Sequence, residues 1–160
     1  MSDRRAPVLA GALLFLAGLA VVAAPEARLV VSDEHGTEHL VADALTLRYR
    51  HSVERTIVEE DLAARPAGVG VTEMRFESFG AGLPSQPEWG GTFTTLPDGR
   101  LAITGMTVTL PSLELRVGEV SEQAIVAGGR VVVLASLVRP GDVLTISSVT
   151  RPRALWWLAP

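Results

Sequence analysis

The residues best able to do chemistry lie in two polar stretches in the middle of the chain, Tyr49–Glu60 and Arg75–Pro84. In the first stretch, His51 and Ser52 place an imidazole next to a hydroxyl among several glutamates, which are groups that hydrolases use. Adjacent residues of a strand point to opposite faces of the sheet, so the Ser52 hydroxyl is poorly placed to bond the His51 ring. The chain also lacks the G-x-S-x-G sequence of an exposed serine nucleophile. We therefore expect no catalytic residues and no enzyme activity.

Two residue patterns could bind a metal ion, and neither has the setting that it needs. The segment His35–His39 matches the H-x-x-E-H pattern of some zinc proteases, which requires a helix to bring both histidines to one face. Gly36 instead places this segment between predicted strands, so we expect a solvated turn. Oxygen ligands for a divalent cation could come from four glutamates, Glu54, Glu59, Glu60 and Glu77. Without an aspartate-rich loop, the simpler expectation is that these glutamates pair with arginines, namely Arg48, Arg50, Arg55 and Arg75. We therefore predict no metal and no cofactor.

The second stretch ends in a loop of small residues that suits contact with a partner. Gly80, Ala81 and Gly82 could offer backbone N–H groups to an anion or to another chain, or they could form a wide turn with positive φ. Small residues let another backbone approach closely. Trp89, further along, is an aromatic residue of the kind enriched at binding hot spots. We predict that the loop Gly80–Pro84, together with Trp89, is the main contact with a partner.

Strands must position these groups, because both stretches alternate like β-structure before they become polar. Leu45, Leu47, Tyr49 and His51 share one face, so we expect His51 to be a buried histidine with a polar partner, whose replacement destabilises the domain. Val69–Phe79 is expected to be the longest strand. The full set of predicted strands is Arg28–Ser32, Leu40–Asp43, Ala44–His51, Thr56–Asp61, Val69–Phe79, Thr92–Leu96, Arg100–Leu110, Leu113–Val117, Gln123–Ala127, Arg130–Leu137 and Val143–Val149.

Turn residues separate the predicted strands. Ala63–Gly68, which contains Pro66, breaks one run, and Gly80–Gly91 is rich enough in glycine and proline to form an irregular loop. Pro97-Asp98-Gly99 predicts a hairpin, because Asp-Gly tolerates the positive φ of a tight turn. Short strands with turns every 8–12 residues or so are typical of an all-β sandwich or barrel. We expect one such domain, with little helix, over residues 28–160.

The composition argues against several classes of function. At 160 residues the chain has room for one compact domain. Its net charge of −4 argues against nucleic acid, which binds basic faces. Cysteine is absent, which excludes disulfides and thiolate metal sites. The hydrophobic fraction of 48% and the mean hydropathy of +0.31 are high, and an apolar N-terminal segment accounts for much of this excess.

That N-terminal segment predicts export and membrane attachment. Arg4 and Arg5 precede an uncharged run, Ala6–Ala24, which as a helix would span roughly 28 Å, close to the hydrocarbon thickness. A cleaved signal peptide is the alternative, although Pro25 makes a poor cleavage site. We expect a retained single-pass anchor over residues 1–27 in the inner membrane, with everything after it outside the cytoplasm. Its anchoring side chains include Leu13, Leu14, Phe15, Leu16 and Leu19.

The C-terminus carries two adjacent tryptophans, Trp156 and Trp157. They could belong to a last strand that fills the core. They could instead form an interfacial belt behind Arg151 and Arg153, because tryptophan favours the headgroup zone of a membrane. Both alternatives are consistent with the sequence.

Taken together, the two polar stretches resemble domain of unknown function 1850, a family of small exported bacterial and archaeal proteins. The resemblance covers most of the chain after Arg28 and rests on motif residues to which no catalytic role is assigned. These are His51, Ser52, Glu54, Thr56, Glu59, Glu77, Ser78, Gly80, Ala81, Gly82 and Pro84.

The resemblance also implies an association with a membrane transporter. Such proteins occur beside, or fused to, the membrane subunits of tripartite ATP-independent periplasmic (TRAP) transporters of the TAXI type. The chain is therefore expected to be a non-enzymatic accessory subunit that contacts the TRAP membrane subunit, its TAXI substrate-binding protein or both. The alternative is a free periplasmic module that binds a small ligand in a cleft lined by the motif residues.

Overall fold

The computed structural model describes residue 18 and residues 20–80 and 82–159. It consists of two compact units: the chain ends, up to Glu26 and Thr150–Ala159, and the main body, Ala27–Val149. The protein is an all-β sandwich of two sheets, as the sequence predicts. Its described strands are β1 (Pro25–Asp33), β2 (Glu38–Ala42), β3 (Ala44–Arg50), β4 (Ile57–Arg65), β5 (Gly68–Phe76), β6 (Thr92–Thr95), β7 (Leu101–Thr104), β8 (Thr109–Leu110), β9 (Ser112–Arg116), β10 (Ala124–Ala127), β11 (Arg130–Val133) and β12 (Val143–Pro152).

The larger sheet carries the two polar stretches on neighbouring strands. Its strand order is β11-β10-β3-β4-β5-β7-β6, and β8 joins it by pairing with β5. The antiparallel register places Arg48 opposite Glu59, and Glu59 opposite Arg75. Leu45 and Leu47 are buried while Arg48 is exposed, so the alternation predicted for β3 is confirmed.

The smaller sheet, in the order β2-β1-β12-β9, closes the other side of the core. Leu29 of β1 and Ile146 of β12 are fully buried. They belong to one apolar cluster with Leu45, Leu62 and Phe76 of the larger sheet. Full burial of such a side chain stabilises a protein by about 1.5–3 kcal/mol, so this cluster holds the two sheets face to face.

Strand β5 is shorter than the sequence predicts and ends at Phe76, not at Phe79. Its neighbour β7 begins at Leu101, which lies opposite Phe76, so the chain beyond Phe76 has no partner strand on that side. The longest described strand is β12, with ten residues, whereas β5 has nine. The end of β5 therefore releases the second polar stretch into a loop.

Two other predicted strands are interrupted. The run Arg100–Leu110 divides into β7 and β8, because Gly105 adopts a φ of 72°, in the left-handed region that a strand cannot include. The run Arg130–Leu137 stays extended only to Val133, and a short 3₁₀ turn, Leu134–Ser136, follows.

Two of the predicted turns correspond to connections between strands in the structure. The hairpin at Pro97-Asp98-Gly99 is confirmed, since β6 and β7 pair antiparallel and Gly99 has a φ of 87°. The predicted break at Ala63–Gly68 is much tighter than expected. Strand β4 runs to Arg65 and β5 begins at Gly68, so only two residues separate them.

The chain ends form a unit of their own. The Arg153 guanidinium forms an ion pair with Glu26 at 2.7 Å, and the Trp156 indole N–H donates to the Glu26 carbonyl at 3.0 Å. Instead of a last strand, a 3₁₀ helix, Arg153–Leu158, carries the two tryptophans. Trp156 is buried, whereas Trp157 is 73% exposed.

The predicted membrane segment lies mostly outside the described residues. Gly18 and residues 20–23 are helical. Within the part of the chain that the structure describes, no helix combines the length and the apolar character needed to cross a bilayer. The predicted anchoring side chains are outside the described residues: Leu13, Leu14, Phe15, Leu16 and Leu19.

Candidate functional site

The turn between β3 and β4, His51–Thr56, is closed by backbone hydrogen bonds. The His51 N–H donates to the Thr56 carbonyl at 2.8 Å, and the Arg55 N–H donates to the His51 carbonyl at 3.0 Å. Arg55 has a φ of 60°, in the left-handed region that residues other than glycine seldom occupy. Such a residue ends a single helical turn and reverses the chain. The tip of the turn therefore faces outward, with Val53 64% exposed.

His51 belongs to this turn and not to the strand, because β3 ends at Arg50. The ring is half-buried and does not reach the core, which corrects the prediction of a buried strand histidine. It does have a polar partner, since Nδ1 accepts a hydrogen bond from the Glu54 N–H at 3.2 Å. When Nδ1 accepts, the neutral ring carries its proton on Nε2. A Cβ added to Gly82 would lie 3.9 Å from that nitrogen.

The two polar stretches meet where Glu54 lies against Gly80. A methyl group added to Gly80 would lie 2.4 Å from the Glu54 carboxyl carbon, which is closer than non-bonded carbon atoms approach. The Gly80 carbonyl accepts a hydrogen bond from the Leu83 N–H at 3.0 Å, and Gly82 has a φ of 81°. A side chain at position 80 would therefore displace the Glu54 carboxylate, and glycine is favoured at position 82 by the backbone. Four predicted site residues come together here: His51, Glu54, Gly80 and Gly82.

The other residues of the second stretch have different environments. Leu83 and Pro84 are buried and fix the loop to the body of the domain. Phe79 is 54% exposed, and its ring lies 5.6 Å from that of Phe93. Ala81 lies outside the described residues. Two further motif residues are exposed on the surface, Glu77 and Ser78.

Trp89, predicted to act together with this loop, is held elsewhere. Its carbonyl accepts hydrogen bonds from the N–H and the hydroxyl of Thr107, both at 3.0 Å. Thr107 follows Met106, whose N–H donates to the Thr72 carbonyl in the middle of β5. Gly80, in contrast, lies beyond the end of β5. The structure therefore does not bring Trp89 to the turn between β3 and β4, although the residue is 49% exposed.

Glu59 belongs to an ion-pair network on the larger sheet, which we call the Arg75 network. Arg75 contacts Glu59 at 3.1 Å and both Asp61 and Glu73 at 2.7 Å, and Arg100 contacts Glu59 at 2.9 Å. The expected pairing of Glu59 with an arginine is thus confirmed. Burial raises the pKa of Glu59, but hydrogen bonds from Arg100 and Arg75 outweigh it, and the pKa lies below its usual value. The network keeps this carboxylate ionised.

Glu60, the next residue along β4, points into the sandwich. The Tyr49 hydroxyl donates to Glu60 Oε1 at 2.8 Å. Burial raises the pKa of both groups, although the hydrogen bond from Tyr49 lowers that of Glu60. A small cavity of about 180 Å³ adjoins the pair and is lined also by Leu113, Leu115 and Gln123. This carboxyl is therefore part of a polar contact within the larger sheet, on its inward face.

The segment His35–His39 forms a turn and a strand start, not a helix. The His39 Nε2 atom lies 3.0 Å from Asp33 Oδ2, and Asp33 Oδ1 accepts the backbone N–H groups of His35 and Thr37, both at 2.9 Å. The hydrogen bond from Thr37 is the largest cause that lowers the pKa of Asp33 to about 2. Among the described residues, no three His, Asp or Glu side chains are grouped as metal ligands.

A pocket of about 300 Å³ opens beside the turn between β3 and β4, and sequence reasoning missed one of its walls. The Arg50 N–H donates to the Ser121 carbonyl at 2.7 Å, which holds the connection between β9 and β10 against the end of β3. The glycine and the serine of that connection predict a turn but do not reveal which strand lies beside it. We call this cavity the arginine pocket, and its lining residues are Arg50, His51, Ser52, Arg55, Gly118, Val120 and Ser121.

Arg50 stabilises an unusual backbone around this pocket. Its guanidinium donates to the Glu122 carboxylate at 3.1 and 3.2 Å and to the Arg55 carbonyl at 3.1 Å. Both of these partners have positive φ, 46° at Glu122 and 60° at Arg55. Two hydroxyl oxygens nearby, Thr56 Oγ1 and Ser121 Oγ, are buried and have no hydrogen-bond partner in the described structure. Strained backbone and unsatisfied groups of this kind are concentrated at functional sites.

The family comparison covers this whole region. A family model described as Domain of unknown function (DUF1850) matches residues 45–134, more than half of the chain. The chain belongs to the DUF1850 family. No curated protein and no solved structure matches it. The resemblance drawn from the motif residues is therefore confirmed, and the turn, the Gly80–Pro84 loop and the arginine pocket all lie within the DUF1850 domain.

Proposed function

We propose that this DUF1850 protein is a non-enzymatic accessory subunit of a TAXI-type TRAP transporter, anchored in the inner membrane with its β domain outside the cytoplasm. The observation that carries the proposal is the joining of the two motif stretches into one surface, where Glu54 lies over Gly80. We call the surface formed by His51–Thr56, Gly80 and Gly82 the motif surface. It is the part of the domain that contacts the transporter.

Exposed apolar side chains support a protein partner at the motif surface. Val53 is 64% exposed at the tip of the turn, and Phe79, which is 54% exposed, immediately precedes Gly80. Covering the part of such a side chain that is still exposed contributes about 1–2 kcal/mol, which a binding partner would supply. Gly82, which is exposed and carries no side chain, also leaves room for a partner's backbone.

The choice of a transporter as the partner rests on the family resemblance and on the N-terminus. DUF1850 proteins are expected beside or fused to TRAP membrane subunits of the TAXI type. The uncharged run Ala6–Ala24 has the length and composition of a membrane anchor, which would keep the domain near such a subunit. The TRAP membrane subunit and the TAXI substrate-binding protein are the two candidate partners.

Purification from native membranes tests the proposal. The tagged full chain, extracted in mild detergent, is expected to recover TRAP membrane subunits or the TAXI substrate-binding protein. Val53→Asp should lower that recovery at least about tenfold, because burying a charge at the contact costs more than 1.4 kcal/mol. Val131→Asp is the matched control, since Val131 is 61% exposed on the edge strand β11, outside the motif surface.

The two parts of the proposal fail separately. If the wild-type chain recovers no TRAP component, the transporter is not the partner. If Val53→Asp recovers as much as the wild type, the partner binds somewhere other than the motif surface. Circular dichroism of both variants checks that the fold is intact.

A further inference from the structure

We propose that the arginine pocket binds a small organic monocarboxylate. This inference goes beyond the transporter contact and does not depend on it. It rests on the charges that line the pocket, on the size of the pocket and on the backbone that supports Arg55.

The charge of the pocket favours an anion. Its lining contains Arg50 and Arg55 and no carboxylate, although the whole chain has a net charge of −4. Glu122, which lies outside the lining, forms an ion pair with Arg50 and offsets its charge. Within the described residues, no carboxylate pairs with the Arg55 guanidinium. The site therefore presents one uncompensated positive charge.

One uncompensated charge selects a monoanion. A carboxylate balances it, whereas a dianion such as phosphate would leave a net negative charge in a partly desolvated site. The planar guanidinium of Arg55 also matches a carboxylate, because its N–H groups can donate two parallel hydrogen bonds to the two oxygens.

The wall of the pocket contains a further donor. Ser121 Oγ is buried without a hydrogen-bond partner in the described structure. It is packed so closely that a Cβ added to Gly118 would lie 2.5 Å from it. An unsatisfied buried hydroxyl is unfavourable, so a rotation of the Ser121 side chain that brings Oγ to the pocket surface would let it donate to a bound carboxylate oxygen.

The size of the pocket limits the ligand to a short chain. Its volume of about 300 Å³ is at the lower end of the range for ligand sites, roughly 300–1,000 Å³. Val120 and the methylene groups of Arg50 are the apolar surfaces available to the body of the ligand. A carboxylate with a short aliphatic tail, such as butanoate, satisfies both the charge and the volume.

The backbone around Arg55 is fixed before any ligand binds. The Arg50 guanidinium donates to the Arg55 carbonyl, and the Arg55 N–H donates to His51. The position of the Arg55 backbone, from which the guanidinium extends, is therefore set by hydrogen bonds within the turn. Binding a ligand then costs only the ordering of the Arg55 side chain, which favours affinity for a small molecule.

Calorimetric titration of the full chain in detergent with butanoate, butanamide and butylammonium tests the inference. Butanoate should bind, and the neutral amide should bind at least about tenfold more weakly, because it lacks the charge that Arg55 recognises. Arg55→Asn should weaken butanoate binding by a similar factor. Asparagine suits this variant because it tolerates the left-handed backbone at position 55. Arg48→Gln, at an exposed arginine of β3 outside the lining, should bind butanoate like the wild type.

Several results would overturn the inference. Equal binding of butanoate and butanamide would mean that the charge of the ligand is not recognised. Unchanged butanoate binding by Arg55→Asn would mean that Arg55 does not bind the ligand. Tighter binding of inorganic phosphate would contradict the selection of a monoanion. If an acetylated glutamate peptide binds and butanoate does not, the pocket recognises a carboxylate on a protein partner and not a small molecule. Val53→Asn, which removes the exposed apolar side chain without adding a carboxylate beside Arg55, should lower recovery of the TRAP partner and keep butanoate binding, so loss of the transporter contact and loss of the ligand site are distinguishable.

Discussion

Arg75, on the central strand β5, contacts three carboxylates, whereas Arg55, in the turn between β3 and β4, pairs with none in the part of the chain that the structure describes. Arg75 also has regular strand backbone, while Arg55 has a φ of 60°. The two residues have the same chemistry in the sequence. Their surroundings make one a structural cross-link of the sheet and leave the other available to a ligand.

Hydroxyl groups near the two arginines differ in the same way. In the Arg75 network, the Thr46 hydroxyl donates to Asp61 Oδ1 at 2.7 Å, and the Thr72 hydroxyl donates to the Asp61 carbonyl at 3.1 Å. Beside the turn, the hydroxyls of Thr56 and Ser121 are buried and have no partner in the described structure. A polar group that forms a hydrogen bond within the domain stabilises the fold, whereas one without such a partner is available to bind a ligand.

Removing the charge at Arg75 should have the largest effect on stability. Arg75→Met leaves three partly buried carboxylates without their shared cation, and we expect the free energy of unfolding to fall by about 2–3 kcal/mol, less than for a fully buried pair. Arg55→Asn should change it by no more than about 0.5 kcal/mol. Urea denaturation of both variants measures the difference. Equal losses would mean that Arg55 is as structural as Arg75.

Acid should weaken the Arg75 network in the wild type. The pKa of Glu59 and the pKa of Asp61 lie below their usual values, so each binds a proton more weakly in the folded chain than in the unfolded chain. The stability that they contribute is present above the unfolded pKa of about 4 and is lost as the pH falls below it. We expect the urea midpoint to decrease between about pH 5 and pH 3, and to decrease less in Arg75→Met.

The comparison with Arg75→Met is needed because Glu60 changes the stability with pH in the opposite direction. Burial raises its pKa, so its ionisation destabilises the fold as the pH rises above the unfolded value. This contribution is common to both proteins. An identical acid dependence in the wild type and Arg75→Met would show that the network does not set it.

Removing the unsatisfied hydroxyl of Thr56 should have a smaller effect than removing the charge at Arg75, and in the opposite direction. Thr56→Val removes a buried polar group that has no partner in the described structure, so the free energy of unfolding should rise by about 1 kcal/mol. Thr46→Val is the matched control and should lose about 1 kcal/mol, because its hydroxyl bonds Asp61. If the Thr56 hydroxyl serves the motif surface, the more stable variant should recover less of the TRAP partner. Loss of stability on Thr56→Val would mean that the hydroxyl is satisfied within the fold.

The sequence alone determined the features that depend on near neighbours along the chain. The alternation of Leu45 and Leu47 with polar residues predicts the strand, because side chains of a strand point to alternate faces. Pro97-Asp98-Gly99 predicts the hairpin, because few residues tolerate the backbone of a tight turn. The motif residues likewise identify the family, and the family was confirmed over residues 45–134.

Only the tertiary structure decided which polar groups meet. The contact between Glu54 and Gly80, the position of Trp89 beside Thr107, and the approach of Ser121 to Arg50 all join residues that are distant along the chain. The order and register of the strands set these contacts, and burial across the two sheets sets the register. A local pattern of residues carries no information about which strand will lie beside it, so the pairing of charges that separates a structural arginine from a binding one appears only in the folded chain.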